Sequence, residues 1–380
     1  MSEHARPSMG RYRPQELQWF ISAVLSQMGS PDAVAGEVAG HLVRSSVSGH
    51  DSHGVNRLPQ YVMQVEAGNL DPAAEPTVLR QTGSSVLIDG HGGFGHHSAA
   101  VALEHAMDRA AATGAGVATV RHATHIGRLG EYAERAAERG LVSMITTGAA
   151  GLDLGWMMPP GGTRRFVGAN PWALGIPAGE VPVIFDGSMT NVAQGKIHVA
   201  RSKGEEIPDE WLVDPEGRPT NAPADLYAGG ALLPLGGSTA GHKGYSLGLM
   251  SALLGSMGMI GDPHPTPVGA NLQVTGEKPP VREGATHWLA GVFIFVADPA
   301  VFGDPGEYAA EVERLRAAAR GAAGAPEDPA FPGELEVRAR QRNLDEGLTV
   351  PTRTVDELTA VGRRFSVPFP RSLTSEEGEG

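Results

Sequence analysis

Ser85-Val86-Leu87-Ile88-Asp89-Gly90-His91-Gly92-Gly93-Phe94-Gly95, with the alanine-rich run of residues 99–112 and then Gly116-Val117-Ala118-Thr119-Val120, carries the strongest architectural signal in this chain of 380 residues. A short apolar run, a glycine turn, a helical run and a second apolar run are spaced as a strand–helix–strand unit. The alternation continues with a helix over 131–139, a strand over 142–146 and further strands over 181–185 and 288–296, which predicts an α/β centre. Upstream, Pro14 opens a helix bearing Leu17, Phe20, Ile21, Val24 and Leu25 and closed by Gly29. Ser30-Pro31-Asp32 starts a second helix with Val34, Val38 and Leu42 inward. The expected division is a helical N-terminal region (1–75), a central α/β domain (76–302) and a C-terminal helical region (303–380). Residues 203–235 read as surface loop, 303–334 as helix plus loop, and the acidic tail 374–380 as disordered. The glycine-interrupted segment after Lys243 reads as a buried helix rather than a membrane span.

Residues 90–95 spell G-x-G-x-x-G between a strand and a helix, the context of a dinucleotide fingerprint. The acid expected at the end of the second strand is missing, since that strand runs out at Val120-Arg121-His122. In a chain with 52 glycines the plain-turn reading is preferred. Residues 236–241 before His242-Lys243 resemble a P-loop only loosely, because Lys does not directly follow the second Gly and no Ser or Thr follows Lys.

Composition narrows the classes. A net charge of -13 argues against sequence-independent binding to nucleic acid or anionic membranes. The absence of cysteine excludes disulfides, thiolate catalysis and Cys-type metal sites. Residues 1–13 have no apolar stretch of the secretory kind, so a soluble cytoplasmic protein is expected.

Two segments carry candidate chemistry: Gly49-His50-Asp51-Ser52-His53-Gly54-Val55-Asn56-Arg57-Leu58-Pro59-Gln60-Tyr61 and Arg121-His122-Ala123-Thr124-His125-Ile126-Gly127. An imidazole that titrates near neutrality, beside a cation, suits proton transfer on a small carboxylate. His53, Arg57 and Tyr61 are four residues apart and share one face if the segment is helical, although Pro59 limits it to a short turn. The plainer reading is a solvated arginine and a half-buried tyrosine. The pairs His50/His53, His96/His97 and His122/His125 do not match the spacing of a helical zinc site, so no metal is expected. Ser52, His53 and Asp186 suggest a hydrolase triad, but adjacent side chains diverge and no G-x-S-x-G elbow exists. Ser52 and Asp186 are therefore expected to orient and polarise His53.

In this order the motifs resemble the malate/L-lactate dehydrogenase family that is distinct from the Rossmann-fold lactate and malate dehydrogenases. Its relatives include ureidoglycolate, sulfolactate and diketogulonate oxidoreductases and cyclic-imine carboxylate reductases. The resemblance rests on Ser52-His53-Gly54 with Arg57 and Tyr61, and on Thr124-His125-Ile126-Gly127 with Gly130 and Tyr132. Gly168-Ala169-Asn170-Pro171, Asp186-Gly187-Ser188-Met189-Thr190, Gly195-Lys196, Lys203-Gly204-Glu205, Lys243-Gly244-Tyr245 and Pro332-Gly333-Glu334 continue it over roughly residues 14–365. It implies a non-Rossmann mixed-sheet domain binding NAD or NADP, flanked by N-terminal helices and packed C-terminal helices, in a homodimer. By position His125 is the acid/base, protonated in reduction and neutral in oxidation. His53, Arg57, Tyr61 and Asn170 hold substrate. Asp186 supports a histidine, and Ser52, His53 and Asp186 resemble the relay of imine-reducing relatives. Cofactor contacts fall at Ile126, Gly127, Arg128 and Leu129, at Ser188, Met189 and Thr190, at Lys243, and at Pro332, Gly333 and Glu334. Arg121 and Arg128 are candidates for a 2′-phosphate. Departures at Ile126, Gly148-Ala149, Ala169 and Gly187-Ser188 leave the reaction class intact and the substrate open.

The expected function is NAD(P)-dependent hydride transfer on a small 2-hydroxy or 2-keto carboxylate. A cyclic-imine carboxylate reductase is the alternative within the family. A metal- or ligand-binding protein without redox activity is the alternative from another class.

Overall fold

The computed structural model describes residues 9–151, 155–162, 164–262, 289–322 and 330–373. The expected strand residue Trp288, the loop at 323–329 and the tail 374–380 lie outside them. Strand β1 (Met9–Tyr12) leads into helices α1 (Pro14–Gln27), α2 (Asp32–Val47) and α3 (Leu58–Glu66). The centre follows as β2 (Thr77–Gln81), β3 (Ser85–Asp89), α4 (Gly95–Thr113), β4 (Ala115–Arg121), α5 (Leu129–Glu138), β5 (Val142–Ala150), β6 (Trp172–Ile176) and β7 (Val183–Gly187). Next come α6 (Gln194–Lys203), β8 (Leu212–Val213), β9 (Pro219–Thr220), α7 (Asp225–Ala228), β10 (Ala231–Leu232) and α8 (Gly237–Gly255). The chain closes with β11 (Leu289–Ala297), α9 (Pro305–Ala322), α10 (Glu334–Glu346), β12 (Leu348–Pro351) and α11 (Thr352–Arg364). Among the described residues no helix is long and apolar enough to cross a membrane.

The main sheet is mixed, in the order β2-β3-β4-β11-β5-β6-β7. Its one parallel pair is β3–β4, joined through α4, and β11 inserts antiparallel between β4 and β5. That pattern departs from a Rossmann sheet, which is mostly parallel. Successive strand residues face opposite sides. Ile145 packs with α4 and α5, while the neighbouring Thr146 donates through Oγ1 to Ser251 Oγ of α8 at 2.6 Å, so α8 covers the other side.

The expected buried helix after Lys243 is corrected. The small residues of α8, Gly244, Gly248, Ser251, Ala252 and Gly255, are buried, whereas Leu247, Met250 and Leu253 are 41–47% exposed. Close approach explains the inversion: a Cβ on Gly255 would lie 2.4 Å from the carbonyl oxygen of Gly291 in β11. The helix turns its small side to the sheet and its large side outward.

The stretch expected to be surface loop, 203–235, instead holds a small sheet ordered β10-β8-β9. Asp214 closes its hairpin by accepting from the backbone N–H groups of Glu216 and Arg218. Ile207, Leu212, Leu226 and Leu232 form a separate apolar cluster beneath it with Val192 and Ile197. At the other end of the molecule one core combines Leu17, Phe20, Leu42, Leu58 and Tyr61 with Leu348, Val350, Leu358 and Val367. β1 and β12 pair antiparallel, Tyr12 opposite Leu348.

Candidate active site

The two histidine segments meet. After α2 the chain makes two 3-10 turns, Asp51–His53 and Val55–Arg57, before α3 starts at Leu58. Pro59 fits the first turn of α3, where its missing N–H has no helical partner to lose. The tight first turn also brings Ser52 Oγ to 2.9 Å from His53 Nδ1, so these neighbours do meet, contrary to the expected divergence.

The second segment follows β4. Thr124 Oγ1 accepts from Gly95 N at 3.0 Å and donates to Gly93 O at 2.8 Å. The glycine turn donates its own N–H groups to the protein, Gly90 N to Arg121 O and Gly92 N to His122 O. The G-x-G-x-x-G match is thus a turn packed under the His125 segment. Beyond His125, Tyr132 Oη donates to Ile126 O at 2.6 Å, and Arg128 N donates to His41 Nε2 at 2.9 Å. Gly127 has φ +76° and sits against His41 and His96, a conformation that favours glycine.

The rings of His53 and His125 are stacked, with centroids 5.5 Å apart and planes 17° apart. Tyr61 Oη lies 2.9 Å from His125 Nδ1 and 3.3 Å from His96 Nε2. Burial, reinforced by the Arg57 cation and by His53, His96 and His41, holds His125 well below the usual imidazole range. His41 and His96 are depressed in the same way, again mainly by burial. His53 is lowered to about 3 by burial and Arg57. All four rings are neutral at pH 7, so the imidazolium expected of His125 in reduction is not the resting state.

Glu37, His41 and Glu131 converge closely enough to suggest a metal ligand set. The donor chemistry opposes it. His41 Nε2 accepts the Arg128 N–H, so in the neutral ring the proton is on Nδ1, which faces Glu131 Oε2 at 3.2 Å. Glu131 also accepts from Arg44 at 2.8 Å. His41 and Glu131 thus sit as a close pair, not aligned as a hydrogen bond, against the loop that follows His125.

Several expected contacts are redirected. Tyr61 was expected to hold substrate, but it is 1% exposed and its hydroxyl engages two histidines, one layer behind any ligand. Asn170 accepts from Ala149 N and donates to Ala149 O and Gly248 O. Its amide is spent on backbone, and its φ of 36° suits Asn. Asn170→Ala should therefore lower stability by roughly 2–4 kcal/mol, three hydrogen bonds' worth, read as a fall in the urea midpoint. Asp186 accepts from Gly130 N at 2.7 Å and lies 3.7 Å from Arg128 Nε. It hydrogen-bonds no histidine, and so it ties α5 to β7 instead of completing a relay. Arg128 is buried and paired with Glu134 at 2.5 Å, and Arg121 donates to Asp89 at 2.8 Å. Both carboxylate pairings remove these arginines as phosphate readers. Arg57 donates to Ser52 O and, at 2.7 Å, to Gln60 Oε1.

The expected cofactor segments are instead spread along β7, with residues 126–130 and 188–190 at its C-terminal end and Pro332 near its start. Asp186 joins it to residues 126–130, and Ser188, Met189 and Thr190 follow it directly. Ile184 N donates to Pro332 O, beside Gly333 and Glu334. Glu334 itself is occupied by Arg320 at 2.6 Å and by its own helix cap at Phe331 N. Leu235 N donates to Met189 O, which brings in the start of α8 with exposed Lys243. Sequence reasoning missed His41 and Glu131, which lie within helices and belong to no spaced motif, and weighed His96 only as one of a pair with His97 that lacks metal spacing.

The chain is 31% identical to the malate dehydrogenase of Pyrococcus abyssi over 367 residues, covering 94% of this chain and 95% of that one. It is 32% identical to the Δ1-pyrroline-2-carboxylate/Δ1-piperideine-2-carboxylate reductase of Pseudomonas putida over 255 residues, 67% of this chain and 72% of that one. The solved malate dehydrogenase of Pyrococcus horikoshii superposes with a TM-score of 0.79 at 28% identity, covering 98% of this chain and all of that one. Fold, site and matches define a dehydrogenase/reductase acting beside a carboxylate. The profile of the malate/L-lactate dehydrogenase family spans residues 12–359. The chain belongs to that family, which implies a nicotinamide cofactor.

Proposed function

We propose that this chain moves a hydride between NAD or NADP and C2 of a malate- or lactate-like 2-hydroxy/2-keto carboxylate, with His125 as the acid/base. The observation that carries this reading is the stack of His125 on His53 beside half-buried Arg57. A ring able to exchange a proton beside a cation able to bind a carboxylate supports it. A bound nicotinamide supplies or removes the hydride. The donor set fits such a group. The first turn of α8, a helix of 19 residues, presents exposed Ser238 and Thr239, with exposed Lys243 one turn further on, and a helix start favours a pyrophosphate. Arg57 fixes the substrate carboxylate, and the pairing removes part of the positive field on His125. A homodimer belongs to this reading, supported by the exposed apolar row of α8.

The Ser52–His53 hydrogen bond supports a second reading, reduction of a cyclic imine carboxylate, although Asp186 stands apart from that pair. Pyruvate, oxaloacetate and piperideine-2-carboxylate assayed side by side with NADH and NADPH separate the two. Turnover of a keto acid is expected. Turnover confined to the imine moves the assignment to the second reading, and no change in nicotinamide fluorescence on titration with either cofactor overturns both.

A further inference from the structure

Behind His125 stands a histidine that the sequence marks only as one of a pair without metal spacing. His96 lies in the first turn of α4, fully buried. Its ring centroid is 5.4 Å from that of Tyr61, 5.8 Å from that of His125 and 4.8 Å from that of His41. Tyr61 Oη bridges His96 Nε2 and His125 Nδ1, and His96 Nδ1 is buried with no hydrogen-bond partner.

A phenol has one proton and can donate to only one of the two rings. If Tyr61 donates to His125 Nδ1, the neutral His125 carries its proton on Nε2 and has no lone pair there to receive another. If Tyr61 donates to His96 Nε2, His125 Nδ1–H donates to Tyr61 Oη and the lone pair sits on Nε2. Only the second arrangement serves both directions of the reaction. In oxidation the substrate hydroxyl proton moves to His125 Nε2, giving an imidazolium that keeps its Nδ1–H on Tyr61. Reduction reverses this, and Tyr61 and His96 neither gain nor lose a proton.

We infer that His96 is a positioning residue: by accepting the Tyr61 hydroxyl proton it holds His125 in the Nδ1–H tautomer, whose Nε2 exchanges the proton with substrate. The inference rests on the reading of His125 as the acid/base. Burial and the positive end of α4 both keep His96 uncharged and therefore able to accept. To accept at Nε2 the neutral ring carries its proton on Nδ1, which has no partner, so the Tyr61 contact must offset that unpaired N–H. A catalytic histidine held in the wrong tautomer loses about 10⁴ in kcat when its carboxylate orienter becomes an amide. A neutral orienter acting through one hydroxyl should matter less.

The test uses the full chain and the substrate that it turns over best. His96→Leu should lower kcat by roughly 10- to 100-fold, a fraction of that carboxylate precedent, with KM little changed. His96→Gln, whose amide oxygen can take the Tyr61 proton, should recover most of the loss. In the Tyr61→Phe background His96→Leu should add little, because no phenol proton remains to be misdirected. An equal fall with and without Tyr61→Phe makes His96 merely structural and overturns the inference. ¹⁵N-histidine spectra of the unmodified protein, assigned by comparison with His125→Ala, give a reading independent of whether the variants fold: a pyridine-type nitrogen at His125 Nε2 supports the inference and one at Nδ1 overturns it. Retained activity in His125→Ala defeats the underlying reading, whereas an inactive His125→Ala with additive His96 and Tyr61 effects defeats this inference alone.

Discussion

His125→Ala lowers turnover by about 10²-fold or more, the usual scale of general acid–base catalysis, while cofactor still binds. The structure explains why the two effects separate. The loop that carries His125 is held by backbone contacts, from Tyr132 to Ile126 O and from Arg128 N to His41, and none of them passes through the imidazole. Removing the ring takes away the proton exchanger and the stacking partner of His53 but leaves the segments around β7 in place. Nicotinamide fluorescence on titration should thus resemble that of the unmodified protein while kcat collapses. Unchanged turnover removes His125 from the mechanism. Loss of cofactor binding instead assigns the ring a structural role.

The second large effect is on stability against acid. His41, His53, His96 and His125 all have folded-state values below the ordinary 6.5. Below pH 6.5 the unfolded chain therefore takes up protons that the folded chain refuses, and stability falls as pH falls. At about 1.4 kcal/mol per pH unit for each ring, four rings that all stay neutral when folded give a loss of at most about 5 kcal/mol between pH 7 and 5.5. Glu131 and Asp186, raised mainly by burial, act in the opposite sense. Wherever their folded forms take up protons that the unfolded chain does not, they offset part of this loss. A loss of that size is a large part of the 5–15 kcal/mol that holds a typical domain together. The urea midpoint should drop steeply from pH 7 to 5.5. A flat midpoint over this range means that the folded rings accept protons, which contradicts their burial.

The unit at residues 85–120 was legible because β3 and β4 are apolar on a buried sheet and α4 is lined with alanine. β2 was not, since all five of its residues are exposed and leave no alternating signature. β6 was hidden for a related reason: Leu174, on a strand between β5 and β7, faces solvent. At the site, Ser52, His53, Arg57 and His125 could be found because they stand beside glycine and small residues in irregular segments. Asn170, Asp186 and Arg128 sit at recognisable positions, but their partners are backbone atoms and distant carboxylates that no spacing encodes. His41 lacks even a position to flag it, and His96 stands out only as one of a pair with His97, because a histidine within a helical run reads as a packed residue until its neighbours from other elements are known.

The core shared by the two ends of the chain also governs the order in which the protein can be made. The segment carrying His53, Arg57 and Tyr61 rests on helices whose apolar side is completed by Leu348, Val350 and Leu358, and β1 has no partner strand until β12 exists. On the ribosome the first helices emerge early and wait through some three hundred residues for the strand that seals them. Such wide sequence separation slows folding and leaves apolar surface open in the meantime. Enzymatic competence should accordingly arrive late in biogenesis, when the last helix docks, and the nascent N-terminal helices are the part of the molecule with most need of a chaperone.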